Sequence, residues 1–390
     1  MDDFIQVEVP PDVLWGSQTA RCLHFFAIGH QKMPLEIVHA IGWIKWAAAL
    51  TNRDLGLLEP SKANAIANAA REVALGQYDH EFPLGVWQTG SGTHTHMNVN
   101  EVVAHSAANA LAQGGTHGSK VHPNDDVNLG QSSNDVFPSA MHIAVVRLMR
   151  QQLLPTLVAL RHALGLKAKQ FEAVIKIGRT HLQDAVPLTL SQEFGGYQAQ
   201  LSLCELGLDH ALLPVYALAM GGTAVGTGLN THPEFGKRII ARLAGQLELP
   251  LVQADDLFAA VASHEALVQL HGSLRVLAVS LFKIANDLRL LASGPRAGLG
   301  ELRLPQNEPG SSIMPGKVNP SQIEALTMVC VQVMGHDAAV GFAASQGQLE
   351  LNAYKPLIAL NTLDSIQLLA DAMCSFTRHC VVGIVIDSVR

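Results

Sequence analysis

Lys317 is the one cation in the stretch GSSIMPGKVNPSQIEAL, residues 310–326, among serines, glycines and prolines. Asn319 is a preferred helix N-cap, Pro320 suits a first helical position, and Gln322 falls where a capping-box partner belongs. The spacing therefore predicts a helix starting at 320, with its unpaired N–H groups and positive dipole end facing the loop. An ammonium, a neutral amide and a helix end together suit one carboxylate. A capped helix beside a solvated lysine is the plainer alternative. Ser311 and Ser312 lie just upstream in a loop that could fold over a ligand. A serine beside a lysine and backbone amides loses its proton more readily than a free hydroxyl, which makes it a candidate base. His181, in GRTHLQD (178–184), is the candidate partner, because histidine titrates near neutrality.

Two further polar stretches have similar composition: TGSGTHTHMNVNE (89–101) and HPNDDVNLGQSSND (122–135). One such loop is usually a solvated connection, but four beside helix ends point to a convergent pocket. Several look-alikes fail. GSSIMPGKV has five residues between its glycines and a valine after its lysine, so it is not a P-loop. GGTAVGTGLNTH (221–232) lacks the dinucleotide-binding spacing and a preceding strand. His94 and His96 have a spacing found at metal sites, but no acidic or cysteine ligand lies nearby in sequence. His142, His162, His210 and His271 fall in helical patterns and receive no role.

These loops need a frame, and periodicity supplies it. Leu267, Leu270, Leu274, Leu277, Leu281, Ile284, Leu288 and Leu291 follow one another in threes and fours, a heptad seam that predicts bundle packing. The helix would begin at Glu265, stop at Ser293-Gly294-Pro295 and be about 42 Å long. A second seam, Phe194, Tyr197, Leu201, Cys204 and Leu208, follows a capping box between Thr189 and Gln192. Helices are also expected over about 136–171, kinked by Pro155, and over 321–342. Strand signals are sparse, so the fold class is all-α with a long central helical bundle. Three parts are expected: a mainly helical N-terminal domain over 1–131, the long-helix bundle over 132–355, and a remnant over 356–390.

Composition narrows the partners. The 390 residues are 48% hydrophobic and only 15% charged, so self-association is expected to cover much of the surface. A net charge of −7 gives no electrostatic reason for nucleic acid or an anionic membrane as partner. No uninterrupted apolar run in the sequence spans a bilayer. Five scattered cysteines without CxxC spacing read as reduced core thiols, and the acidic start MDDFIQVEVP has neither a signal-peptide nor a transit-peptide pattern; a cytoplasmic location is expected.

The motifs WQTGSGT, HPNDDVN, QSSNDVFPSAMHIA, KIGRTHLQDAVPLTLSQE, GGTAVGTGLNTHPEF and NEPGSSIMPGKVNP closely resemble the class II fumarases of the aspartase/fumarase superfamily, in one register from about Leu14 onward. The resemblance implies reversible hydration of fumarate to L-malate without metal or organic cofactor. It also implies a homotetramer whose active sites each combine loops from three subunits. By the same resemblance Ser311 would remove the C3 proton of malate. The aci-carboxylate formed would be held by Lys317, Val318, Asn319 and the helix end. His181, oriented by Glu324, would act on the departing hydroxide through a water. Ser91, Gly92, Thr93, Ser132, Ser133, Asn134, Thr180 and Ser312 would bind the dicarboxylate and that water. A second, non-catalytic dicarboxylate site would use His122, Pro123, Asn124 and Asp125.

The departures from the family pattern carry expectations too. His96 replaces the usual Asn, and His94 a polar residue such as Gln or Ser; His96 beside the pocket would alter pH dependence or substrate fit. Ser119 stands where the second dicarboxylate site has a basic residue, so that site should be weak. Leu349 replaces an aromatic. After HCVVGI the family continues into a small helical domain, whereas this sequence reads VIDSVR. Two alternatives follow: an ammonia-lyase acting on aspartate, and a fumarase-like oligomer impaired by the missing domain.

Overall fold

The computed structural model of the chain describes residues 7–114, 120–310, 312–314 and 316–387. The chain divides into two compact units. One takes residues 1–146, 213–268 and 339–363, the other residues 147–212, 269–338 and 364–390. Ser311, Pro315 and Ser119 lie outside the described residues.

In the first unit, α1 (Ser17–Phe25), α2 (Leu35–Asp54), α3 (Pro60–Ala74) and α4 (Thr93–Gln113) pack about a core with Ile37, Ile41, Ile44 and Ile66 fully buried. Alanines dominate the buried face of α3, and a Cβ on Gly42 would sit 2.8 Å from the Ala74 nitrogen, so α2 and α3 meet backbone to backbone. Glu59 caps α3, accepting from the amides of Ser61 and Lys62 at 2.9 Å each. The buried Glu101 of α4 accepts the amides of Gly16 and Gln18 at 2.9 Å and of Thr19 at 3.2 Å, which ties α1 down. α5 (Ser133–Leu148) starts in this unit, which also holds α8 (Phe235–Leu247), α9 (Leu257–Ala262) and the short parallel pair β3 (Ala217–Leu218) and β4 (Val252–Gln253).

In the second unit the two predicted seams are buried. Leu270, Leu274, Leu277, Leu281, Ile284 and Leu288 in α10 (Glu265–Leu291) are at most 1% exposed, and Phe194, Tyr197, Leu201, Cys204 and Leu208 line the buried face of α7 (Leu190–Leu212). The capping box forms as expected. The Thr189 amide donates to Gln192 Oε1 at 2.9 Å, and the Gln192 amide donates to Thr189 Oγ1 at 3.2 Å. The helix expected over 136–171 consists of α5 and α6 (Leu154–Gln170), separated by a π-helical turn at Met149–Leu153, with Pro155 the second residue of α6. Proline lacks the N–H that would continue the ladder there, and the widened turn absorbs the loss. The remaining helices are α11 (Ser321–Ala344) and α12 (Lys355–His379), with β5 (Leu302–Arg303) and β6 (Val385–Ile386) antiparallel.

Three expectations need correction. The helix after the signature loop starts one residue late: Pro320 O accepts from Ile323 N at 2.9 Å and Glu324 N at 3.0 Å, so Pro320, not Asn319, is the N-cap. The GRTHLQD stretch is not an irregular loop at a helix end. Between α6 and α7 it forms the end of a hairpin of β1 (Ile175–Thr180) and β2 (Gln183–Thr189), whose alternation is hidden because most of both strands is only partly covered. And although the sequence has no long unbroken apolar run, four helical segments (133–170, 265–291, 321–344 and 355–383) are long and apolar enough to cross a membrane by length and composition alone. The cysteines are free as expected, with Cys22, Cys204, Cys330 and Cys380 buried.

Candidate active site

In the first unit the N-termini of α4 and α5 meet. Gly92 caps α4 in the left-handed region, φ 76°, and a Cβ there would lie 2.3 Å from the Phe137 ring of α5. Only glycine permits this approach. Ser91 Oγ and Thr93 Oγ1 share a hydrogen bond of 2.8 Å at this helix end. At the other, Ser132 caps α5. Its carbonyl accepts from Val136 N at 3.0 Å, its Oγ accepts from Asn134 N at 3.2 Å, and its amide donates to Asp135 Oδ1 at 3.0 Å. Asn134 is anchored to Ala224 O at 2.8 Å. Two helix dipoles and several hydroxyls thus gather, a setting suited to carboxylate oxygens.

A fully buried ammonium stands behind these hydroxyls. Lys45 Nζ on α2 contacts His96 Nε2 at 2.6 Å, Asn128 Oδ1 at 2.9 Å and Gln131 Oε1 at 3.0 Å, while His96 Nδ1 lies 2.8 Å from Ser133 Oγ. Burial drives the Lys45 pKa well below its ordinary value, opposed by the negative charge of Asp135. Burial, then the Lys45 charge, push His96 well below its ordinary range. Asp135 is raised to about 6 because its burial outweighs the amides of Ser132, Thr223 and Gly221. His94 does not face this cluster: its Nδ1 accepts from Thr89 N at 3.3 Å and its ring packs on Phe26.

Nearby, His122, Pro123, Asn124 and Asp125 form the start of a π-helical turn closed on itself. His122 Nδ1 accepts from the Asp125 amide at 3.1 Å, and Lys62 pairs with Asp126 at 2.9 Å.

In the second unit His181 sits at the tip of the β1–β2 hairpin. His181 and Leu182 both take positive φ, 55° and 60°, between the closing pair Thr180 and Gln183, the signature of a type I′ turn. Two L-residues in that region carry strain of about 1–3 kcal/mol each, which persists where the surroundings over-determine it. At the hairpin base Lys176 pairs with Glu193 at 2.9 Å and Glu301 at 3.0 Å, and Arg179 pairs with Glu301 at 2.6 Å. The base is fixed and the imidazole projects outward, exposed.

The signature loop is also exposed at Ser312, Lys317, Val318 and Asn319. It is pinched at its neck: a Cβ on Gly310 would meet the Lys317 carbonyl oxygen at 2.0 Å. Asn307 Nδ2 donates to His379 O at 2.7 Å, and Ser321 Oγ to Glu308, so the loop's ends are anchored while Ser312, Lys317, Val318 and Asn319 are exposed. Glu324, on the first turn of α11, is exposed and makes no hydrogen bond to His181 among the described residues of one chain.

Sequence reasoning missed Lys45 and Lys355. Each had a signal: Lys45 is the single charge in the apolar run HAIGWIKWAAAL, and Lys355 precedes a proline at a helix start. Lys355 is fully buried, donating to Asn352 O at 2.8 Å and Val261 O at 3.2 Å, and burial lowers its pKa to about 7. His271, given no role, contacts Asp337 at 3.1 Å and Ser365 Oγ at 3.0 Å. That serine is wholly buried, so the serine–histidine–aspartate order here has no surface at which to meet a substrate.

A family model described as a lyase matches residues 5–335. A class II fumarate hydratase of Thermosynechococcus vestitus is 60% identical over 385 residues, covering 98% of this chain and 82% of that protein. One from Methylorubrum extorquens is 58% identical, covering 98% and 81%. The crystal structure of a recombinant class II fumarase from Schistosoma mansoni matches with a TM-score of 0.94 at 46% identity, covering 97% of this chain and 83% of that one.

Proposed function

The chain belongs to the class II fumarate hydratases, lyases that hydrate fumarate reversibly to L-malate, and we propose the following division of work among its residues. The hydroxyls and amides at the ends of α4 and α5, namely Ser91, Gly92, Thr93, Ser132, Ser133 and Asn134, hold the dicarboxylate. Ser311 takes the C3 proton of malate. As it leaves, charge grows on the neighbouring carboxylate, and Lys317 with Val318, Asn319 and the α11 end stabilises that aci-carboxylate. His181, with Thr180 beside it and Ser312 contributing a hydroxyl, serves the departing hydroxide through a water, oriented by Glu324. The groups need no metal or organic cofactor for these steps.

One observation carries this reading: two helix N-termini lined with hydroxyls converge at Gly92 and Phe137, which is the arrangement a dianion needs. The exposed, strained His181 and the exposed Lys317 fit groups that complete a site built from several copies of the chain. Apolar side chains left bare on the long helices support a homotetramer: Leu203 is 70% exposed on α7, Met328 67% and Phe342 74% on α11. Those faces, rather than a lipid phase, account for the membrane-like hydropathy, and a cytoplasmic enzyme without nucleic-acid or membrane partners is the setting we infer. The self-closed His122–Asp125 turn is proposed as a weak second dicarboxylate site.

Ultraviolet absorbance of fumarate tests the activity directly. It should rise when malate is added to purified protein. A rise with aspartate alone would replace the reading by an ammonia-lyase, and no rise with either would make the protein a silent relative. Sedimentation should give four chains per particle; a monomer would remove the shared site.

A further inference from the structure

The hydrogen-bond arithmetic around Lys45 leaves little freedom. Asn128 Nδ2 donates to Gln131 O at 3.3 Å, and Gln131 Nε2 donates to the carbonyls of Val127 and Leu129 at 3.2 Å each. Both amides therefore spend their N–H groups on backbone and turn their oxygens to the lysine. An ammonium has three donors and finds three contacts: those two oxygens and His96 Nε2. Nε2 must then be an acceptor, so the ring proton is on Nδ1 and is donated to Ser133 Oγ, 2.8 Å away. With its oxygen already accepting, Ser133 has its own proton available for another group.

We propose that Lys45 and His96 are positioning residues that set the polarity of Ser133, keeping its hydroxyl a donor toward a dicarboxylate at the N-terminus of α5 while the cluster holds its proton and turning it inward when that proton is lost. The inference rests on the dicarboxylate reading of that helix end. When the cluster loses one proton, the Nδ1 proton leaves and Lys45 passes one of its own to Nε2; the lysine is then an amine that still donates to the two amides and accepts from Nε2–H. Nδ1 is now bare and accepts from the Ser133 hydroxyl, so the serine presents only lone pairs to a carboxylate. With Lys45 an ammonium, a doubly protonated His96 is excluded, because Nε2–H would point at an ammonium hydrogen; burial of the ring also disfavours the imidazolium.

The titratable groups acting on Lys45 are His96 from α4 and Asp135 from α5. α3 and α8 also pack on α2, but Lys62 of α3 is engaged with Asp126 and Arg242 of α8 with Asp54. Burial weakens the lysine's hold on its proton, which brings the switch down from strongly alkaline pH toward the working range.

Succinate, an unreactive diacid, separates this inference from the catalytic reading, because its binding requires no turnover. Calorimetry on the whole protein should show wild-type affinity falling as pH rises. Ser133→Ala should bind about tenfold more weakly at neutral pH, the size expected for one hydrogen bond to a charged group, and its affinity should no longer share that alkaline fall. His96→Leu should lose a similar factor, and the double variant should be no weaker than Ser133→Ala alone. If His96→Leu does not fold, His96→Asn serves: its amide can accept from Lys45 and donate to Ser133, so affinity should stay within about twofold of wild type. Multiplicative losses in the double variant would overturn the proposal. So would an alkaline fall that persists in Ser133→Ala, or a tenfold loss in His96→Asn. Loss of fumarate turnover in wild type with the succinate pattern intact would sink the catalytic reading and leave this one standing.

Discussion

The end of α5 and the loop before α11 both offer hydroxyls and a helix N-terminus, yet they are built in opposite ways. Around Ser133 the hydrogen bonds run inside one unit, through His96 down to a lysine with no exposed surface. Around Lys317 the neck is anchored and the described residues of the loop, Ser312 and Lys317 to Asn319 among them, face solvent. A site that must hold a dianion at fixed geometry gains from the first construction, since pre-oriented donors need no reorganisation. A site that must admit substrate and then surround it gains from the second. The contrast predicts that wall variants change binding or folding and loop variants change turnover.

Ser311→Ala gives the largest expected effect: kcat should fall by about 10²–10⁴, the range for losing a general base, with succinate affinity nearly unchanged. Equal losses in both would move Ser311 to the binding side. Lys317→Met should lower kcat/KM by about 10²–10³, comparable to removing one oxyanion donor, and an undiminished steady-state rate would end its assignment. Gly92→Ala tests the wall through stability. A methyl group aimed at the Phe137 ring, on a backbone with φ 76°, should destabilise the fold by about 1–3 kcal/mol or more, read as a lowered denaturant midpoint. Partial recovery in Gly92→Ala/Phe137→Leu would locate the collision; full stability in the single variant would mean that α4 and α5 can part.

The smallest effect concerns Lys355. Its folded pKa of about 7 lies below the unfolded value near 10.4, so between those limits the unfolded chain binds more protons and stability should rise with pH. Lys355→Met should abolish that rise in Tm between pH 7 and 9, and a slope equal to wild type would show that the ammonium is not desolvated as the burial implies.

Much of this frame is legible in the sequence because it is periodic or local. The α10 and α7 seams repeat in threes and fours, and the Thr189–Gln192 box spans one turn. The hairpin carrying His181 was not legible, since its turn lacks the Asn-Gly or Gly that marks such reversals and its strands do not alternate cleanly. Pro320 took the cap from Asn319 because the proline carbonyl, not a side chain, receives the first helical bond. The motif residues of the candidate site were recognisable as polar loops, but Lys45 was not. Its partners at 96, 128 and 131 are remote in sequence, and no short-range rule joins them.

That last cluster constrains the order in which the chain can assemble. If α2 docked on α4 before the 128–131 turn arrived, a charge would be stripped of water with most of its acceptors missing, a penalty of several kcal/mol. The helix, its neighbour and the turn must therefore close together, and an opening of any one of them should rehydrate all three. Amide hydrogens on the core faces of α2 and α4 are accordingly expected to exchange in a single cooperative event, at one common free energy, rather than fraying helix by helix.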